Sequence, residues 1–225
     1  VGLNCSFGAE QMIPFMKQLS DVPYYVSAYP NAGIPDEDGR YDQTPEHMAA
    51  SVERFVKEHP DFSYRGAKAI VGITGYEGVY GYRTDKDGKE RLTPEEFQKE
   101  VDGAKAVTAW LLENGFEIAS HSYSHPYFDN ATETEILKEL GSDKFFLESL
   151  FGREVAGYAT PFYYYSDLMA DCVCHCVFEY ARISEESNDY SVPQDFYRWR
   201  GSKFHWDEDL KDFVRGFLET DQELA

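Results

Sequence analysis

The chain has 225 residues, a length that allows one large domain or two small ones with a buried core. Its 21 basic residues face 41 acidic ones, and the formal net charge of −20 argues against binding to nucleic acid or to an anionic membrane surface. Hydrophobic residues make up 42% and aromatic residues 16% of the chain, which is typical of a globular protein. No run of roughly 18 apolar residues is present, so the sequence predicts no membrane-spanning helix.

The first quarter of the chain predicts alternating strands and helices. Short strands are expected at residues 1–5 and 24–28, and the apolar residues between them follow helical spacing over residues 9–19. Residues 29–44 are rich in Pro, Gly, Asn and Asp and predict a loop. The sequence Thr-Pro-Glu then starts a helix that is expected to reach residue 59, with the threonine as its N-cap.

The remainder of the chain continues this alternation. Strands are expected at residues 67–74, 116–120, 155–160 and 178–183, and helices at residues 93–114, 132–151, 166–176 and 207–218. A glycine-rich turn is predicted at residues 75–81 and a polar surface excursion at residues 84–90. The helix at 93–114 is expected to turn five residues inward: Val101, Ala104, Val107, Trp110 and Leu111. The order of elements favours an α/β fold, either a barrel or a doubly wound sheet.

Two histidines follow a predicted strand in the stretch HSYSHP. His121 and His125 are four residues apart, and a compact turn at the tip of a strand can present both imidazoles to one pocket. Ser122 and Ser124 could hold the loop through local hydrogen bonds, while Pro126 stiffens its exit. The spacing predicts a metal site, and the alternative interpretation is two surface histidines that are adjacent by chance.

The sequence from about residue 55 to residue 225 resembles the NodB-like polysaccharide deacetylases, the carbohydrate esterases of family four. NGFEIASHSYSHP is similar to the second motif of that family, and the resemblance implies that His121 and His125 bind a divalent metal, usually zinc. GYATPFYYY is similar to the third motif, in which Pro161 and Phe162 match. The resemblance implies that the backbone N–H of Phe162 donates to the oxyanion. Ala159 stands where the third motif carries arginine.

Two further motifs of that family are missing. No adjacent pair of aspartates occurs in the sequence, so the general base and the third metal ligand are unassigned; Asp61, Asp85 and Asp87 precede the histidines outside the required pattern. No Leu-x-His motif supplies the acid histidine, and His205 stands in a different context. The resemblance therefore implies a metal-dependent hydrolase of N- or O-acetyl groups on a polysaccharide that is expected to be weak or inactive.

Residues 1–54 carry a different pattern. VGLNCSFGAEQM and YYVSAYPNAGIPDEDGRYDQTPEHMA resemble the homocysteine-binding barrel of cobalamin-dependent methionine synthase. In that family the cysteine of GLNC is one of three thiolates on zinc, and the resemblance implies this role for Cys5. The Gly-Gly-Cys-Cys-Gly segment that carries the other two thiolates is missing, so a buried cysteine that binds no metal is the alternative interpretation of Cys5.

Two clusters in the C-terminal half allow further hypotheses. Trp199 and Trp206 could line a sugar-binding cleft together with Pro161, or they could pack in the core. The cysteines alternate along the chain instead of being separated by the two to four residues that zinc sites usually have, so no metal site is predicted from Cys172, Cys174 and Cys176.

The two resemblances divide the chain into residues 1–54 and residues 55–225. They imply an α/β fold: a partial or distorted (β/α) barrel of the deacetylase type, preceded by a βαβα segment that resembles part of a TIM barrel. The expected function is a deacetylase-like hydrolase that depends on a divalent metal, usually zinc in the resembled family, and acts on a carbohydrate substrate. The alternatives are a homocysteine S-methyltransferase module and a non-catalytic carbohydrate-binding or chimeric protein. No signal peptide is visible, so a chain complete as given would be cytoplasmic, and the sequence leaves the oligomeric state open.

Overall fold

The computed structural model describes residues 2–3, 13–14, 27–28, 45–58, 60, 68–187, 195–201, 209, 212–213 and 215–216. Its strands are β1 (Gly2–Leu3), β2 (Ser27–Ala28), β3 (Ile70–Ile73), β4 (Glu117–Ser120), β5 (Gly157–Ala159), β6 (Tyr180–Glu186) and β7 (Trp199–Gly201). Its α-helices are α1 (Pro45–Glu58), α2 (Lys86–Arg91), α3 (Pro94–Glu113), α4 (Glu133–Phe151) and α5 (Asp167–His175). Short 3₁₀ turns lie at Pro161–Tyr163 and Phe196–Arg198.

Five strands form one parallel sheet in chain order, from β3 at one edge to β7 at the other. The register pairs Ile73 with Ser120 and Ser120 with Tyr158, so the carboxyl ends of β3, β4 and β5 lie at one edge of the sheet. β1 and β2 form a separate two-stranded parallel sheet. The predicted α/β fold with a parallel sheet is confirmed. The described strands form an open sheet, and the predicted barrel is not confirmed, since closure takes about eight strands.

Local capping chemistry sets the starts of the two long helices. The hydroxyl groups of Thr93 and Thr132 each accept a hydrogen bond from the backbone N–H three residues on, and the glutamate at that position accepts a hydrogen bond from the threonine N–H. The helix α4 ends at Gly152, which adopts the left-handed conformation with φ of 67°. The predicted helices at 93–114, 132–151 and 166–176 are confirmed within one or two residues.

The core lies between the sheet and the helices. Buried side chains from β4, β5 and β6 meet apolar faces of α3, α4 and α5, with Ile118, Tyr158, Ala181, Leu111, Leu140 and Met169 among them. On α4 the buried apolar residues recur at helical spacing, at Ile136, Leu140, Leu147 and Leu150. None of the described helices combines the length and apolar character needed to span a bilayer.

The helix α1 belongs to the same core. Ala49 and Val52 are buried in the cluster that includes Ile73 and Val107, and the Glu53 carboxylate pairs with Lys68 just before β3. The boundary predicted between residues 54 and 55 lies inside this helix. α1 is therefore one packed element on both sides of that position, and the division of the chain stays a prediction.

The structure corrects two expectations. Trp110 is 39% exposed, because it lies beside the buried face of α3 and not on it. The polar segment at 84–90 is partly buried: Thr84 and Asp85 lie in the interior, where Asp85 caps α2 and pairs with Arg83. The predicted helix at 9–19, the loop at 29–44 and the helix at 207–218 fall almost entirely outside the described residues.

Candidate functional site

The two histidines lie in the loop that follows β4. The N–H of His121 donates to the Ile73 carbonyl at 2.8 Å and extends the parallel pairing by one residue. The N–H of Tyr76, in the turn after β3, donates to the Tyr123 carbonyl at 2.9 Å. These two bonds join the loop to the neighbouring strand, so the histidines lie at the carboxyl edge of the sheet, where α/β proteins commonly bind ligands.

The two imidazoles converge on each other. The Nε2 atoms of His121 and His125 are 3.1 Å apart, and the ring centroids are 4.7 Å apart at an angle of 61°. The Nδ1 of His121 lies 2.7 Å from the Ala159 carbonyl oxygen. Because a carbonyl only accepts, Nδ1 carries the proton and Nε2 keeps its lone pair. The arrangement presents His121 in the tautomer that binds metal through Nε2.

Burial favours the neutral form of both imidazole rings. It lowers the pKa of His121 to about 4, against a smaller upward effect of the hydrogen bond to Ala159. Burial also lowers the pKa of His125. Neutral imidazole is the form that binds a metal ion, so protons compete little for these nitrogens near pH 7.

The loop carries strained backbone that contacts with α4 hold in place. Ser122 and His125 both have positive φ, 63° and 54°, although neither is glycine. The N–H and the hydroxyl of Ser124 both donate to the Glu139 carboxylate at 2.9 Å. The structure corrects the prediction of local hydrogen bonds at Ser124, because its partner Glu139 lies on a helix and not within the loop.

A buried carboxyl group lies beneath the loop. Asp143 on α4 accepts a hydrogen bond of 2.6 Å from the Ser120 hydroxyl, and the N–H of Ser122 donates to that hydroxyl at 3.3 Å. Burial raises the pKa of Asp143 to about 7, against the lowering effect of the Ser120 bond. This residue is not among those predicted from the sequence. The sequence could have indicated it, because Asp143 is a charged residue on the face of α4 that carries the buried residues Leu140 and Leu147.

The segment that resembles the third motif lies beside the histidines. Pro161 is buried, and Phe162 adopts a left-handed conformation with φ of 50°. The Phe162 ring is 4.4 Å from the His125 ring and stacks on Tyr127, so the structure brings this segment to the histidine loop. The roles of the Phe162 N–H and of Pro161 stay predictions. Tyr127 was not singled out by the sequence analysis.

The other predicted site residues lie elsewhere or outside the described chain. Trp199 is on β7, in edge-to-face contact with Tyr180 and Phe196 and two strands away from β5. Trp206 and Cys5 fall outside the described residues. The three cysteines on α5 and at its C-terminal end differ in exposure: Cys172 is buried, Cys174 is exposed and Cys176 is intermediate.

The described residues bring two candidate metal ligands together, His121 and His125. Among them, no group of three or more His, Cys, Asp or Glu side chains is close enough to hold a metal ion. Two neutral imidazoles with converging Nε2 atoms fit half of a tetrahedral zinc shell, whose remaining positions would take a carboxylate and water. Glu77 is an exposed carboxylate at the same edge of the sheet, in the turn that begins with the Tyr76 bond to the loop.

Two family models match different parts of this chain. Residues 89–180 match the model for polysaccharide deacetylase, a range that includes the histidine loop and the Pro161–Tyr163 turn. Residues 1–72 match the model for homocysteine S-methyltransferase, a range that extends into β3. Both family resemblances predicted from the sequence are therefore confirmed.

Solved structures share the fold. The structure of IcaB from Ammonifex degensii is 10% identical, with a TM-score of 0.54 over 98% of this chain and 97% of that one. The BpsB deacetylase domain from Bordetella bronchiseptica is 8% identical, with a TM-score of 0.53 over 89% and 93% of the two chains. At such low identity the likeness concerns the fold alone.

A family 4 carbohydrate esterase from Streptomyces lividans, solved in complex with acetate, is 14% identical with a TM-score of 0.34. The match covers 41% of this chain and 48% of that one, so this chain spans about half the length of that relative. Over residues 89–180 the chain is similar to the polysaccharide deacetylases, and over residues 1–72 it is similar to the homocysteine S-methyltransferases.

Proposed function

We propose that this protein is a metal-dependent, deacetylase-like hydrolase that acts on N- or O-acetyl groups of a polysaccharide. The observation that carries the proposal is the 3.1 Å approach of the His121 and His125 Nε2 atoms, within the segment that matches the deacetylase family model. Two surface histidines that are adjacent by chance would not be expected to converge, or to have one ring held in a single tautomer by a backbone carbonyl.

The proposed roles follow from the contacts of each residue. His121 and His125 would hold a divalent metal, zinc in this proposal, which when bound polarises a carbonyl group and activates water. The Ala159 carbonyl orients the His121 ring. The Phe162 N–H would donate to the oxyanion as the acetyl carbonyl becomes tetrahedral, and the Phe162 ring would exclude water from one side of His125.

Turnover is expected to be slow. Among the described residues, no carboxylate hydrogen-bonds to either imidazole, and neither the aspartate pair nor the acid histidine of the family occurs in the sequence. General acid and general base groups typically contribute about 10²–10⁴-fold each to such reactions. A protein without them would keep metal and substrate binding and lose most of its rate.

Zinc binding tests the metal site. We expect the purified chain to bind one zinc ion in a calorimetric titration, and His121→Ala to weaken this binding by about a hundredfold or more because one ligand is lost. His175→Ala is the matched control, since His175 is an exposed histidine at the end of α5. Equal zinc affinity in His121→Ala and the unmodified protein would remove the histidine pair from the site.

Acetate release tests the reaction. With zinc bound, the protein should release acetate from N-acetylated chitotetraose or acetylated xylotetraose faster than the metal-free protein and faster than His121→Ala. Zinc binding without any zinc-dependent release would contradict the hydrolase and would support the non-catalytic, carbohydrate-binding alternative.

A further inference from the structure

Two exposed aromatic rings stack beside the histidine pair. The rings of Tyr127 and Phe162 lie 3.8 Å apart between centroids, with 14° between their planes. Tyr127 is 69% exposed and Phe162 is 41% exposed. We call this pair the aromatic shelf. Large apolar side chains that remain exposed next to a candidate site often mark a binding surface.

The shelf is built directly onto the candidate metal site. The Phe162 ring contacts the His125 ring edge-on at 4.4 Å, and Tyr127 covers the Phe162 ring. The order from the site outward is therefore His125, Phe162, Tyr127. A molecule that reached the histidine nitrogens would also lie within reach of the shelf.

The backbone on both sides holds the shelf in place. Phe128, the residue after Tyr127, is 1% exposed and anchors the end of the histidine loop in the core. Pro161, the residue before Phe162, is buried as well. Each exposed ring thus follows or precedes an anchored residue, so the shelf is formed before any ligand binds and little ordering entropy opposes binding.

The size and chemistry of the shelf fit a pyranose ring. Its outer surface is one side chain wide, whereas a specific protein partner needs roughly 800 Å² on each side. The net charge of −20 disfavours an acidic ligand and is indifferent to a neutral sugar. The Tyr127 ring offers a flat apolar face, and its hydroxyl can exchange hydrogen bonds with sugar hydroxyls.

We propose that Tyr127 and Phe162 form a subsite that binds a pyranose ring of an oligosaccharide next to the histidine pair. The identity of the ligand as an acetylated sugar rests on the proposed function. The binding itself does not require a bound metal or turnover.

Calorimetric titration of the metal-free protein with N-acetylated chitotetraose tests the subsite. Tyr127→Ala should weaken binding about tenfold, in line with the loss of one aromatic contact, while Tyr127→Trp should keep or improve it. Phe145→Ala is the matched control, because Phe145 is 74% exposed on α4 and has no role in the proposed sites. Cellotetraose, which lacks acetyl groups, should show the same loss in Tyr127→Ala, since the shelf contacts the ring face.

Two results would overturn the subsite: binding unchanged in Tyr127→Ala, or no binding by the unmodified protein. Concentration-dependent self-association that Tyr127→Ala abolishes, with chitotetraose affinity unchanged, would assign the shelf to a contact between copies.

The His121→Ala variant separates the two proposals. If it still binds chitotetraose while no variant releases acetate, the subsite stands and the hydrolase fails; if acetate is released with equal KM in Tyr127→Ala, the hydrolase stands and the subsite fails.

Discussion

The Nδ1 atom of His121 and the carbonyl oxygen of Ala159 are 2.7 Å apart, across the pairing of β4 with β5. This contact uses only the backbone of Ala159. The resembled motif carries arginine at this position. The alanine in this chain leaves the orientation of His121 unchanged, because the contact is made by the backbone. Whatever else the arginine would supply, the ring keeps the tautomer in which Nε2 can bind a metal.

Acid should destabilise the protein through His121. The pKa of this residue is about 4 in the folded state and about 6.5 when unfolded, so between these values only the unfolded chain binds the proton. The free energy of unfolding attributable to His121 should fall by about 2 kcal/mol from about pH 7.5 to about pH 5.

Urea unfolding of the protein and of His121→Ala at both pH values measures this effect. The stability difference between the two proteins should shrink on acidification. A difference that stays constant with pH would contradict the lowered pKa.

Asp143 should act in the opposite direction. Burial raises its pKa from 3.8 to about 7, so between these values only the folded state binds the proton, and its stabilising contribution is lost as the pH rises. We expect Asp143→Asn, which removes this titration, to gain about 2–3 kcal/mol relative to the unmodified protein between about pH 5 and about pH 8. Thermal melting at the two pH values measures the gain. If the variant tracks the unmodified protein at both, the carboxyl group does not titrate in this range.

Gly75 should not tolerate a side chain. A Cβ there would lie 2.5 Å from the Phe146 ring and 3.1 Å from the Asp143 carboxyl oxygen, so Gly75→Ala should destabilise the fold by about 1–3 kcal/mol. Gly141 on α4 is the matched control, because a Cβ there meets nothing within 4 Å. Gly141→Ala should stabilise by about 0.5–1 kcal/mol through the better helix propensity of alanine. Denaturant unfolding measures the free energy of unfolding of both variants. A change of the same sign in both would contradict the packing argument.

Glu77 should contribute to metal binding. Its exposed carboxylate lies in the turn after β3, which the Tyr76 N–H ties to the histidine loop. If this side chain turns towards the histidines when zinc binds, Glu77→Gln should weaken zinc affinity by about tenfold, since the ligand loses its charge. Glu154→Gln is the control, because Glu154 precedes β5 at the opposite edge of the sheet. Equal losses in both variants would indicate only a general effect of net charge.

The sequence by itself determined the features that depend on near neighbours. Apolar spacing along α3 and α4, the capping boxes at Thr93 and Thr132, and the alternation of strands with helices all arise within a few residues of chain. For the same reason the sequence located His121 and His125 at the end of a strand. Trp110 was misplaced because one residue of helix rotation, about 100°, separates a buried position from an exposed one.

Tertiary structure alone decided what surrounds the histidines. His121 and Ala159 are 38 residues apart in the chain, and Ser120 and Asp143 are 23 apart. No local pattern encodes such contacts, because they exist only once parallel strands bring their carboxyl ends together and a helix packs across them. The stacking of Tyr127 on Phe162 arises in the same way. A pair of histidines could be predicted from the sequence. The tautomer of His121, the lowered pKa values of both rings and their aromatic neighbours follow from the packing of the sheet.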